Sequence, residues 1–497
     1  MRVKDLITHL PGARVEGAVD REITSMAYDS RRVTPGTLFV AVPGQRVDGG
    51  EFMADAVDRG APVVLCHHDA VAPARVTRIR VDDVREAMAR ASAAFYGRPS
   101  SSMKLVGVTG TNGKTTVAFM VKAILEASGS KTGLMGTVRY EVGDRVIPAQ
   151  RTTPESVDIQ QMLAQMVRAD CQACVMEVSS HALDQKRVWG IGYDVAIFTN
   201  LTQDHLDYHG TMESYFASKA RLFTPDWESD KIPACIINID DDYGARLAAQ
   251  TKQVSVRLTY GVEKSAELRA TQLELGRDGS RFLVETADKS FACRLPLIGR
   301  HNVYNALAAI GAALVLGIPV RHIQAALNSL PPVPGRLEAI HRGQPFGVYV
   351  DYAHTDDALQ NVLTTLREIT RGRVLLVFGC GGARDVTKRP KMGRVAGRLA
   401  DYTIITSDNP RREPPAEIAA QIERGLVAVR NDQYHVELER RRAIDEAIRM
   451  AQPGDTVLIA GKGHETYQEF SDTVVPFDDR LYAAETLELL GHKTGRS

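Results

Sequence analysis

The segment Val106-Gly-Val-Thr-Gly-Thr-Asn-Gly-Lys-Thr-Thr116 constrains this chain more than any other. An apolar run enters a glycine-rich turn, and Lys114 and Thr115 then open a stretch with apolar residues at Val117, Met120, Val121, Ile124 and Leu125. That spacing predicts a helix buried along one face, so the segment reads as strand, loop and helix. Gly110 and Gly113 let backbone N–H groups come close to phosphate oxygens, and the helix N-terminus adds partial positive charge. Lys114 then reaches the β- and γ-phosphates, and the Thr115 hydroxyl can ligate Mg²⁺. The loop is a variant, because the glycine usual five residues before Gly113 is Val108 here. Gly110, Thr111, Asn112, Gly113, Lys114, Thr115 and Thr116 are therefore candidate residues for a nucleoside triphosphate.

The surrounding pattern predicts an α/β protein of three domains. Up to Arg98 a small mixed region holds strand-like Thr37–Val42, helix-like Glu51–Arg59 and apolar Pro62–Cys66, and turn residues fill Tyr96–Ser102. Leu105–Thr109, Ala173–Val178, Val195–Thr199 and Cys235–Ile239 are short apolar runs that read as buried parallel strands. A second Pro/Gly cluster, Leu330–Arg336, marks a hinge, after which Val348–Asp351, Val374–Phe378, Tyr402–Thr406 and Thr456–Ala460 restart the pattern with helices such as Ala416–Arg430. The expected division is a small mixed α/β domain over 1–98, a central P-loop domain with a parallel sheet over 99–334, and a Rossmann-like domain over 335–497. Lys493–Ser497 read as a frayed end.

Composition excludes several classes. Sixty-one basic residues balance sixty-one acidic ones, which argues against a nucleic-acid coat or a membrane-surface protein. The longest apolar stretch, Ala306–Ile318, is shorter than the about 20 residues a bilayer core requires, so no membrane insertion is expected. Met1–Leu10 lack the apolar core of a signal peptide. The six cysteines, with Cys171 and Cys174 a lone CxxC in an apolar run, read as reduced buried thiols of a cytoplasmic protein.

A bound triphosphate brings Mg²⁺, so acids or imidazoles are expected at neighbouring strand ends. Glu177 closes one strand, Ser179-Ser-His181 follows it, and Asn200-Leu-Thr-Gln-Asp-His-Leu-Asp-Tyr-His209 follows the next. A guanine-reading Asn-Lys-x-Asp is absent. In the last third, Asp351-Tyr-Ala-His354, Cys380-Gly-Gly-Ala-Arg-Asp385, Lys388-Arg-Pro390, Asp408-Asn-Pro-Arg411 and Gly461-Lys-Gly-His-Glu465 mostly follow apolar strands. Such loops converge at the carboxyl edge of a parallel sheet. Arg384, Arg411 and Lys462 beside Asp408 and Glu465 offer both signs of charge, which suits an amino acid.

These motifs, together with Gly299-Arg-His-Asn-Val-Tyr-Asn305 and Gly335-Arg336, resemble the Mur ligases of peptidoglycan synthesis over nearly the whole chain. Within that family they are most similar to members that add the third residue of the peptide. The resemblance implies that ATP phosphorylates the D-glutamyl γ-carboxylate of UDP-N-acetylmuramoyl-L-alanyl-D-glutamate. The amine of meso-diaminopimelate then displaces phosphate to form an amide. It implies that Thr115 and Glu177 serve one Mg²⁺ and His205 a second. Lys219, in Tyr215-Phe-Ala-Ser-Lys-Ala-Arg-Leu-Phe223, matches a lysine carbamylated to N6-carboxylysine, a further metal ligand. Catalysis then falls to Lys114, Glu177, His205 and Lys219. Asn305 matches an adenine-facing residue, and Arg336 and Asp351 match residues at phosphate and ribose. Ser30, beside Asp29 and Arg31, matches the uridine end; Thr152, Thr153, Ser179, Gln185 and Arg187 match positions holding the sugar–dipeptide.

Asp408, Asn409, Pro410 and Arg411 resemble the diaminopimelate form of the motif, with Arg384, Gly461 and Glu465 as further contacts. Lysine lacks the distal carboxylate, and a buried Arg411 left unpaired costs on the order of 3–5 kcal/mol. A lysine-adding member of the family, a folylpolyglutamate synthase-like ligase and a nucleotide-regulated binding module are the alternatives. Two departures from the family pattern stand at Asp356, where proline is usual, and Ala383, where Asp or Asn is usual. A monomer acting on small molecules, with no nucleic-acid partner, is expected. Lys114→Ala is expected to abolish ATP turnover in a phosphate-release assay; intact turnover would mean the loop is misassigned.

Overall fold

The computed structural model describes residues 1–44, 47–227, 229–254, 256–429 and 433–492. The expected frayed end, 493–497, and Arg430 of the expected helix lie outside the described residues.

The apolar runs form strands because their side chains are buried on both faces. Ala173–Glu177, Val195–Phe198, Ala234–Asn238, Val374–Phe378 and Thr456–Ala460 are buried at every position. Among the described residues the first sheet runs in the order Arg14–Glu16, Thr77–Val81, Val63–His67, Thr37–Val40, Ser25–Ala27, antiparallel only at its first pair. The central sheet has Lys104–Thr109 between Val195–Phe198 and Ala173–Glu177, all parallel. Val108, where the loop pattern lacks its first glycine, is a fully buried strand residue in register with Glu177 and Ile197. The strand simply continues further before the loop begins.

Helix Lys114–Ala127 follows the loop and shares a core with helix Arg300–Val315 and the parallel strands. That second helix contains the apolar run from Ala306, which is buried against the sheet. Antiparallel strands extend the central sheet at both edges: Leu268–Gly276, Gly279–Glu285 and Ser290–Leu295 on one, Arg139–Val142 and Arg145–Pro148 on the other. Their alternating, half-exposed side chains carry no continuous apolar run, so they escaped the sequence reading.

The third sheet runs Glu338–Ala339, Gly347–Asp351, Thr456–Ala460, Val374–Phe378, Tyr402–Ile405, Tyr434–Val436, parallel after its first pair. The expected helix Ala416–Arg430 is Pro415–Val427. Three α/β domains result. Among the described residues no helix is long and apolar enough to cross a membrane, and all six cysteines are buried and unpaired.

Both departures have local explanations. Asp356 is the first residue of helix Asp356–Ile369, capped by Thr355, whose hydroxyl accepts from Ala358 N at 3.2 Å. Proline suits that position because its missing N–H is not needed there, and an acid suits it because it faces the positive end of the helix. Ala383 sits at φ +51°, in the left-handed region where Asn and Asp are at ease and alanine is not. Ala383→Asn is therefore expected to stabilise the protein by about 1 kcal/mol, read as a higher urea midpoint; an unchanged or lower midpoint would contradict the backbone account.

Candidate active site

The phosphate loop lies at the carboxyl end of strand Lys104–Thr109 of the central sheet, facing the third domain. Gly113 has φ +86°, and a Cβ there would stand 2.4 Å from Asn305 Oδ1, so only glycine admits that neighbour. Lys114 Nζ donates to the carbonyls of Gly110 at 3.0 Å and Thr111 at 2.8 Å, and burial lowers its pKa. Thr115 donates its hydroxyl to Glu177 Oε2 at 3.0 Å and accepts from Arg336 Nη2 at 2.9 Å. Glu177 also accepts from the backbone N–H and hydroxyl of Thr137, at 2.9 and 3.0 Å.

A cavity of about 370 Å³ opens over this network between the central and third domains. Thr111 to Thr116, Thr152, Glu177, His205, Asn305, Arg336 and Asp351 all line it. Asp351 is buried, with its carboxylate accepting from Leu337 N and Ala353 N, both at 2.7 Å. The motif reading passed over Thr137 and Asp357. Asp357 accepts from Asn112 Nδ2 at 2.7 Å and from the Thr202 hydroxyl at 3.0 Å, tying the third domain to the loop. Neither lies in a recognisable pattern; only the fold brings them to the loop.

Lys219, on helix Met212–Ala220, is 1% exposed and does not line the cavity. From behind the loop its Nζ donates to Gly110 O at 2.8 Å and lies 4.6 Å from the centre of the Tyr215 ring. Burial, then the charge of Lys114, holds its pKa well below the ordinary lysine value. His205 is backed by Asp204 at 3.4 Å, and burial pushes its pKa down to about 4, leaving a neutral imidazole. The His181 ring meets His205 edge-to-face at 4.8 Å and lies tilted 4.2 Å from the ring of Tyr208.

Among the described residues no group of three or more His, Cys, Asp or Glu could hold a metal alone. The Thr115 hydroxyl and Glu177 carboxylate nevertheless supply paired hard oxygens beside the phosphate loop, the donor type Mg²⁺ takes together with nucleotide phosphates and water.

The sugar–dipeptide candidates adjoin the same strand end. The Thr153 hydroxyl donates to Glu177 O at 2.8 Å and accepts from Ser179 N at 3.0 Å, and Thr152 meets Thr137 at 3.1 Å. Arg187 donates to Thr153 O at 2.9 Å and to Gln185 Oε1 at 2.6 Å and pairs with Glu155 at 3.2 Å. Ser30 is buried in the first domain, where Asp29 caps the turn Ser30–Arg32.

The amino-acid candidates gather at the carboxyl edge of the third sheet. Gly461 has φ +111°, and a Cβ there would be 2.7 Å from Asp408 Oδ2. Asn409 Nδ2 donates to Glu465 Oε2 at 2.9 Å, and Lys462 donates to both Asn409 Oδ1 and Glu465 Oε2 at 3.0 Å. Lys462 is fully buried, so it holds these loops together from within rather than standing on a charged rim. Arg411 follows Pro410 at φ +52°; its Nε donates to Glu469 Oε2 at 2.9 Å and its Nη1 to Gly382 O at 2.8 Å. Glu469, on the hairpin of Tyr467–Phe470 and Thr473–Pro476, lies beyond the last motif and was not anticipated. Arg384 is exposed on the neighbouring glycine loop, and Arg389, quoted among the recognition motifs, is fully buried against Glu413.

A phosphate loop facing a second parallel sheet across an acid- and imidazole-lined cavity is the arrangement of a nucleotide-binding enzyme, and the family matches make it an ATP-dependent ligase. Residues 22–96, 108–313 and 335–463 match, respectively, the Mur ligase family catalytic domain, the Mur ligase middle domain and the Mur ligase glutamate ligase domain. The chain is 46% identical over 487 residues to the UDP-N-acetylmuramoyl-L-alanyl-D-glutamate–2,6-diaminopimelate ligase of Syntrophomonas wolfei subsp. wolfei, covering 98% of this chain and 99% of that one. Identity is also 46%, over 493 residues and 97% and 98% of the two chains, with the ligase of that name from Synechococcus elongatus. A solved structure of a ligase of the same name superposes with a TM-score of 0.70 at 31% identity, covering 99% of this chain and all of the other. The chain belongs to the Mur ligase family.

Two histidines at the seam between the central and third domains are held neutral by burial. His301 meets the Thr365 hydroxyl at 3.2 Å and His354 meets Tyr352 O at 2.8 Å, with both pKa values pushed down from 6.5 to about 4. The unfolded chain binds protons at these rings below pH 6.5 while the native protein does not, so their contribution to stability is lost as pH falls toward 4. Urea midpoints are expected to drop over that window, and to drop less in His301→Gln; the same drop in both proteins would contradict the assignment.

Proposed function

We propose that this ligase joins meso-diaminopimelate to the γ-carboxylate of UDP-N-acetylmuramoyl-L-alanyl-D-glutamate in peptidoglycan precursor synthesis. A carboxylate is a poor electrophile, so a carboxylate oxygen first attacks the γ-phosphorus of ATP, and the bond to the β-bridging oxygen breaks to release ADP. The amine of diaminopimelate then attacks the acyl phosphate, loses a proton, and expels inorganic phosphate to leave the amide.

Within this reading the cavity between the central and third domains receives ATP. Asn305 faces the adenine, Asp351 the ribose, and Lys114 and Arg336 offset charge on the phosphates. Thr115 and Glu177 would hold Mg²⁺, which lowers the charge opposing attack on the phosphoryl group. His205 is the candidate for a second ion. Lys219 is the candidate for carbamylation, since only a neutral amine adds CO₂ and its burial favours that form. Ser30 serves the uridine end, and Thr152, Thr153, Ser179, Gln185 and Arg187 serve the sugar and dipeptide.

The units 1–98, 99–334 and 335–497 divide the work among nucleotide-sugar, ATP and amino acid. Because the candidate site is formed within one chain, a monomer suffices, and six buried thiols suit the reducing cytoplasm.

The observation that carries the choice of amino acid is Arg411. Its guanidinium is anchored by Glu469 and Gly382 while its side chain remains 22% exposed, so a distal carboxylate can still reach it. Asp408 and Glu465 supply the opposite charge for the distal ammonium.

Offered the UDP-dipeptide, ATP and a mixture of amino acids, the enzyme is expected to yield the diaminopimelate product by mass; a lysine product would overturn the assignment. Arg411→Ala is expected to raise the KM for diaminopimelate about 10- to 100-fold, the loss of a charged hydrogen bond of about 1.5–3 kcal/mol, while the KM for ATP stays within about twofold.

A further inference from the structure

Behind the amino-acid loops lies a fully buried ion pair. Arg440, the first residue of helix Arg440–Met450, is 1% exposed, and Asp479, the first residue of helix Asp479–Leu489, is 0% exposed. The pair is bidentate: Arg440 Nε donates to Asp479 Oδ1 and Nη2 to Oδ2, both at 2.7 Å. The guanidinium also donates from Nη2 to Ala460 O at 3.0 Å and from Nη1 to Ser407 O at 3.3 Å.

Those two carbonyls sit at informative places. Ala460 ends strand Thr456–Ala460, and the next residue is Gly461. Ser407 lies just past strand Tyr402–Ile405, and the next residue is Asp408. The two strands are not neighbours, since Val374–Phe378 runs between them. One planar cation therefore reaches across the end of the middle strand and ties the roots of two loops together.

The loops meet closely in front of it. Asp408 Oδ2 would be 2.7 Å from a Cβ on Gly461, and Asn409 bonds Glu465 at 2.9 Å. A shift of either root therefore moves Glu465 relative to Asp408 and Arg411.

Stability alone does not account for the pair. Exchanging a buried ion pair for well-packed apolar side chains is often neutral or stabilising. What an apolar pair cannot supply is two directed donors on two carbonyls. We infer that Arg440, oriented by Asp479, is a positioning residue for the incoming amino acid, fixing the Asp408–Arg411 loop against the Gly461–Glu465 loop. The inference rests on the reading of those loops as the diaminopimelate site, and misplacement of a binding group by about 1 Å can cost on the order of a hundredfold in rate.

The test replaces the pair by Arg440→Met with Asp479→Leu in the full-length enzyme, and separately makes Arg440→Lys, which keeps the charge beside Asp479 but cannot span both carbonyls. The double variant is expected to keep a urea midpoint near that of the parent. In both variants the KM for diaminopimelate is expected to rise at least tenfold, with the KM values for ATP and the UDP-dipeptide within twofold. A folded variant with the parental KM for diaminopimelate overturns the inference, as does an equal rise in all three KM values, which would mark general loosening. Failure of the underlying substrate reading shows separately, as no turnover of diaminopimelate by the parent enzyme, and removes this inference with it.

Discussion

Arg336 donates to the hydroxyl of Thr115 at 2.9 Å, and the remainder of the site depends on that contact between domains. Thr115 belongs to the phosphate loop and Arg336 to the segment that opens the third domain. With Asp357 bonded to Asn112 and Thr202, the contact sets the carboxyl edge of one parallel sheet against that of another. A parallel sheet exposes its loops and helix N-termini at that edge, so two such edges face to face make a polar crevice with apolar walls behind it. ATP chemistry on one edge and amine delivery from the other follow from this arrangement.

Charge is handled differently at the two edges. Around the phosphate loop the half-buried Lys114 and the buried Lys219 both have pKa values depressed by desolvation, a state that a polyanion relieves. At the amino-acid edge the charges are matched within the protein: Lys462 with Glu465, Arg411 with Glu469, Arg389 with Glu413, Arg440 with Asp479. The first edge is prepared for a large net negative charge. The second is held rigid by internal pairs, so a zwitterion meets groups whose directions are already set. Rigid placement matters there because lysine and diaminopimelate differ only in one distal carboxylate.

The legibility of the chain follows burial. Strands covered on both faces, such as Val374–Phe378 and Thr456–Ala460, show as continuous apolar runs and were read with their observed bounds. The edge hairpins at 139–148 and 268–295 are half exposed, and their alternation is too weak to separate from loop. Motif residues that must contact phosphate through backbone, such as Gly113, were visible because glycine there has a steric cause. Thr137, Asp357, Glu469 and Arg440 were not, since each is an ordinary residue type whose importance comes from what the fold places beside it.

The sequence by itself determined the phosphate loop, the α/β class and the family, because those rest on local order: strand, glycine turn, lysine and helix must adjoin along the chain. Only the tertiary structure decided which charges are available and which are already paired. Lys462 and Arg389 stand in recognition motifs in the sequence, yet both are buried against acids within the protein. Pairing depends on distance through space between residues far apart in the chain, such as Arg440 and Asp479, and no linear pattern encodes it.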